Sequence, residues 1–224
     1  MNLMRDAALI AGKDLRIEWR SRVLVAQVLP FAGMVLLLFA FALDPDRGVL
    51  SRVAPGLFWI AVLLAGLFAI SRAFAIESRT GNYDGLRLSG MDGAAIFLGK
   101  TVAIALELLA LEVLLLVGVY ALFDVQTVAP LPAVLVALPA TIGIAASGAV
   151  YGVIAAGLHG RESLLPLLLL PVLAPVMIGA TRGLEAATQG VTRDAWPWVG
   201  LLAGFAVLYV TIGIVTFGPL LEDA

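Results

Sequence analysis

Six apolar stretches, each about as long as a helix needs to cross a bilayer, constrain this chain more than any other feature. A hydrocarbon core roughly 30 Å thick takes about 20 helical residues. Runs of that kind fall near 23–43, 55–75, 101–123, 130–158, 163–181 and 196–221. Unpaired backbone groups in lipid cost several kcal/mol each, so these runs must be helices; the alternating pattern of a transmembrane barrel is absent. Of 224 residues, 62% are apolar and 13% charged, with a mean hydropathy of +1.05. A soluble domain carries about half and about a quarter instead. The expectation is an all-α polytopic membrane protein with six transmembrane helices, forming a single transmembrane domain over 1–224. With no cysteine and one histidine, His159, neither a thiolate site nor a histidine cage is expected, and no metal. No basic patch interleaved with aromatics points to nucleic acid.

The basic residues set the orientation. Arg5, Lys13, Arg16, Arg20 and Arg22, then Arg72, Arg79, Arg87 and Lys100, then Arg161 make ten on one side; Arg47, Arg52, Arg182 and Arg193 make four on the other. The positive-inside rule puts both termini in the cytoplasm. Trp196 and Trp198 suit an aromatic belt at the outer interface. The first apolar run lacks a small-residue cleavage site and reads as a retained span and not as a signal peptide.

Residues 1–22 read as an amphipathic N-terminal helix. At about 100° per residue, Arg5, Lys13, Arg16 and Arg20 fall within about 80° of one another. Leu3, Ala7, Ile10 and Ala11 gather on a different, apolar side. Such a helix suits anionic lipid headgroups, and a solvated juxtamembrane helix fits the same pattern.

Gly99-Lys100-Thr101 matches the tail of a P-loop, whose consecutive amides curl around phosphates while the lysine reaches the terminal ones. The glycine that GxxxxGK[ST] requires at position 94 is Ala94, and Gly93 stands one residue too far away. The tripeptide therefore reads as the beginning of the third span, and no ATP site is expected in this chain.

The polar segment 76–93 exceeds what connecting two helices requires. Gly81, Gly85, Gly90 and Gly93 punctuate it and leave room only for short helical pieces around 82–88. Tyr83, Leu86 and Leu88 offer apolar anchors beside Glu77, Arg79, Asp84 and Arg87. A short helix of this kind can dock into a groove on another protein, or lie at the membrane interface.

The stretch Leu50-Ser-Arg-Val-Ala-Pro-Gly-Leu-Phe-Trp-Ile-Ala-Val-Leu-Leu-Ala-Gly-Leu-Phe-Ala-Ile-Ser-Arg-Ala-Phe74, followed by Glu77 and Gly81, resembles the second span and following loop of CcmB, the haem exporter protein B family. Leu164-Leu-Pro-Leu-Leu-Leu-Leu-Pro-Val-Leu-Ala-Pro-Val-Met-Ile178 resembles the family's proline-punctuated fifth span. The sequence departs from the family pattern at Ser71, where an acidic residue is expected, and at Gly90, where a proline is common. The resemblance implies a type-2 ABC permease-like subunit in cytochrome c biogenesis without its own ATPase site, and so not an enzyme. A separate CcmA-like ATPase would dock on Glu77, Arg79, Tyr83, Asp84, Leu86, Arg87 and Leu88. ATP would then act through the partner, and haem would be the substrate, exported or released with its chaperone. The further partners implied are CcmC-like and CcmD-like membrane proteins, a CcmE-like haem chaperone and a second copy of this chain. A generic type-2 ABC export permease for a lipid, glycan or drug shares the architecture.

Glu107 and Glu112 fall inside the third span, where acids normally face a bundle interior or a wet cavity. Five residues apart, they point about 140° away from each other and cannot form one dyad. Each is a candidate for a substrate path or subunit contact, or for pairing with a neighbouring helix. An intramembrane enzyme using them would lack a catalytic histidine or serine constellation. Pro166, Pro171 and Pro175 mark a kinked or hinged fifth span. His159 sits in an expected cytoplasmic turn, suited to an ordinary loop role more than to haem ligation.

Overall fold

The computed structural model describes residues 2–43, 47–80, 90–123, 128–157 and 164–223, with the backbone alone at 47–48, 75–80 and 223. The described residues form helices throughout: α1 (Leu3–Ser21), α2 (Leu29–Ala42), α3 (Arg47–Thr80), α4 (Gly93–Phe123), α5 (Pro130–Gly157), α6 (Leu164–Thr188) and α7 (Thr192–Asp223). A π-helical turn, Leu24–Val28, leads into α2. Six segments are long and apolar enough to span a membrane: Leu24–Ala42, Val49–Phe74, Gly93–Phe123, Pro130–Gly157, Leu164–Thr188 and Thr192–Glu222.

Several boundaries differ from the sequence reading, each where a polar residue or a proline suggested a border. Pro55 lies inside α3. The fourth helix begins at Gly93 and not at Thr101, because Asp92 starts it: its Oδ1 accepts from Ala94 N at 2.9 Å and its carbonyl accepts from Ala95 and Ile96. Gly99-Lys100-Thr101 therefore does not begin the span but lies well inside the helix. The segment expected as a loop over 76–93 is shorter, since α3 continues to Thr80. Gly90 has φ +66°, a value that proline's ring forbids, so this turn needs glycine where the family pattern allows proline.

The π-helical turn has a chemical cause. Pro30 cannot donate to the carbonyl one turn back and its ring crowds it. The helix widens there, with Leu29 N bonding to Leu24 O, five residues away. In α6, Pro166 occupies the first turn, where helix amides lack partners anyway, and the helix runs on through Pro171 and Pro175.

The centre of the bundle is built from α3, α4 and α5. Trp59, Val62, Ile70, Phe97, Leu108, Leu111, Val136 and Ile144 form its near-waterless interior. α2 and α7 are peripheral and leave Met34, Phe41, Val207 and Val215 largely exposed. In a lipid solvent that exposure costs nothing, because tails are as apolar as leucine. α1 packs chiefly along α4.

Candidate functional site

Arg22 has φ 53° and ψ 21°, a left-handed break between α1 and the first span. Glu18 holds this break together. Its carbonyl accepts from Arg22 N at 3.0 Å and from Ser21 Oγ at 2.9 Å. Its side chain does more: Oε1 accepts from Leu24 N at 2.8 Å, and Oε2 lies 3.2 Å from Arg72 Nε. One carboxylate thus joins α1, the first span and α3. Ser71 needs no acidic replacement beside Arg72, since the acid comes from α1.

One turn earlier on α1, Asp14 Oδ2 lies 3.5 Å from Lys100 Nζ, while its other oxygen meets Lys13 at 3.0 Å. The Lys100 side chain is only 1% exposed and its ammonium sits 4.9 Å from the centroid of the Phe74 ring, a cation–π contact. Gly99 makes this approach of α1 to α4 feasible. A Cβ there would lie 2.6 Å from Ile10 Cβ and 2.7 Å from Ala7 O. Ala7, Ile10 and Ala11 are buried, so the middle of the apolar side of the N-terminal helix is covered by protein, while Leu3 at its start stays exposed. Arg5, Arg16 and Arg20 remain exposed, and Lys13 is partly so.

The P-loop resemblance dissolves in this geometry. Residues 93–101 are helical, so the amides a phosphate would need are committed to the helix and to Asp92. Lys100 is turned towards α1.

The two glutamates of α4 have different surroundings. Glu112 is 5% exposed and accepts a hydrogen bond from Thr141 Oγ1 of α5, whose hydroxyl also lies 2.9 Å from Ala137 O. Glu107 opens instead into a cleft of about 460 Å³ between α1, the first span and α4, lined by Glu18, Trp19, Arg22, Val25 and Leu106 among others.

Of the residues expected to dock a partner, Glu77 and Arg79 fall on the last turns of α3. Tyr83, Asp84, Leu86, Arg87 and Leu88 lie outside the described residues, as does His159. Asp14 and Glu18 escaped the sequence reading, although a signal was present. Taking Arg5 as zero, they fall at about 180° and 220°, inside the sector of Ala7, Ile10 and Ala11. Two acids on the apolar side of a helix call for buried cations.

Six candidate spans and an N-terminal helix clamped to them define a multi-pass, all-α membrane protein. The chain belongs to the CcmB protein family, which matches residues 5–221. Heme exporter protein B of Haemophilus influenzae is 33% identical over 211 residues, covering 94% of this chain and 92% of the relative. The Pseudomonas aeruginosa protein of the same name is 29% identical over 209 residues, covering 92% and 93%. That of Escherichia coli K12 is 30% identical over 201 residues, covering 87% and 90%.

Proposed function

We propose that this chain is the permease subunit of an ABC-type haem export complex in cytochrome c biogenesis. It couples ATP hydrolysis on a separate ATPase subunit to haem export or to release of the haem-loaded chaperone. The family match over nearly the whole chain carries this reading, and relatives of similar length named heme exporter protein B support it. The chain itself contributes no ATPase chemistry, works as a homodimer with CcmC-like, CcmD-like and CcmE-like proteins, and lies in the bacterial inner membrane with both termini cytoplasmic. The basic stripe of Arg5, Lys13, Arg16 and Arg20 faces anionic headgroups on that side.

The Glu18–Arg72 pair supports a route for the force. Arg72 lies on α3 about 7.5 Å before Glu77, at 1.5 Å per residue, where the docking residues begin and continue past Thr80. A push on that segment would reach α3, and through Arg72 and Glu18 the joint where α1 meets the first span. The two helices then move as a rigid pair. Tyr83→Ala with Leu86→Ala is expected to weaken copurification of the ATPase while leaving membrane insertion intact. Undiminished copurification overturns docking at this segment.

A further inference from the structure

We propose that the cleft between α1, the first span and α4 binds one phospholipid whose headgroup carries a primary ammonium, of the phosphatidylethanolamine type. The charges around it are unevenly satisfied. Asp14 is held by Lys13 and Lys100, and Glu18 by Arg72 and Leu24 N. Glu107, by contrast, has no ion pair within 4 Å among the described residues. Acidic side chains within membrane spans pair with a neighbouring group or face a cavity, and an ammonium donor reaching Glu107 would complete such a pair. The cleft that Glu107 lines is where one would enter.

The rest of the lining selects the kind of cation. Arg22, exposed at the left-handed break, supplies a positive group at the same cleft, so a ligand bearing both an ammonium and a phosphate is matched at both ends. Trp19 is 86% exposed at the rim and Val25 and Leu106 are 59% and 46% exposed. Tryptophan prefers the headgroup level, and the two aliphatic side chains offer apolar surface for an acyl chain. A volume of about 460 Å³ accommodates a headgroup with the first part of its tails and not a whole lipid. A primary ammonium has three donors for Glu107, whereas a trimethylated one has none. An anionic headgroup without an amine would meet Glu107 and Glu18 with like charge. The lipid would thus fill the wedge beside the Glu18 joint and hold α1 against the bundle.

The test is native mass spectrometry of the full chain in detergent micelles, titrated in turn with dioleoyl phosphatidylethanolamine, phosphatidylcholine and phosphatidylglycerol. The expected result is a retained one-to-one phosphatidylethanolamine adduct, bound about tenfold more tightly than the other two, a difference of about 1.4 kcal/mol. Glu107→Gln removes that preference, and Ala110→Trp, which fills the cleft without touching the charges, removes the adduct. Equal retention of all three lipids, or an unchanged preference in Glu107→Gln, overturns the proposal. So does an adduct that survives Ala110→Trp in a chain whose melting temperature is unaltered.

Discussion

Glu107 and Glu112 stand five residues apart on one helix, yet they belong to two differently built regions. Around Glu112 the bundle is closed: α4 and α5 meet face to face and a single hydroxyl, that of Thr141, satisfies the acid. Around Glu107 the protein is assembled from an added helix, α1, held by ion pairs and by a glycine contact, with a cleft left between. The difference teaches where each region's strength lies. A hydrogen bond inside a packed interface fixes two helices directly, whereas a set of charges at an edge fixes them only while each partner remains in place. The edge is the part suited to moving.

The largest effect is expected from breaking the edge at its closest approach. Gly99→Leu would force α1 away from α4, because the new side chain collides with Ile10 and the Ala7 carbonyl; overpacking of this kind costs about 3 kcal/mol. Trypsin should then cut at Lys13 and Arg16 at least tenfold faster while the six spans keep their helicity by circular dichroism. An unchanged cleavage rate would mean that α1 is not clamped as described.

Next comes the interior. Thr141→Val keeps shape but leaves Glu112 without its donor, at a cost of about 1–3 kcal/mol, read as a lower melting temperature in micelles. Adding Glu112→Leu should restore most of the loss, since replacing both partners by apolar groups is nearly neutral. A double variant no better than the single one would show that Glu112 is held by something else.

Smaller still is Glu18→Gln. The amide oxygen can keep accepting from Leu24 N, so only the ion pair with the partly exposed Arg72 is lost, about 1 kcal/mol or less. The smallest change belongs to Glu107→Gln, which breaks no ion pair and should alter stability in lipid-free micelles by no more than about 0.5 kcal/mol. If Glu107→Gln proved as costly as Thr141→Val, the contrast between the two regions would collapse.

These ranks also mark how far the sequence could be read. The spans were legible because lipid demands long apolar helices, and the deepest core residues, such as Leu108 and Ile144, sit on them without any special signal. Boundaries failed where a charge looked like a border. Lys100 suggested the membrane surface, but Asp14 and the Phe74 ring allow it to sit two turns inside α4. The N-terminal helix was recognised from its basic stripe, while its buried face, with Asp14 and Glu18, depended on which helix would cover it. That is tertiary information. No local pattern in Arg72 or Gly99 names α1 as the partner, since the residues concerned lie more than fifty positions apart.

The central claim is that an ATPase acts on this chain from the cytoplasm through the polar segment that follows α3. The native sequence has no cysteine, so Tyr83→Cys supplies a single thiol. With a bulky, membrane-impermeant maleimide, the account predicts labelling in inverted membrane vesicles and none in intact spheroplasts. Labelling in spheroplasts would place the segment on the outer face and contradict the claim.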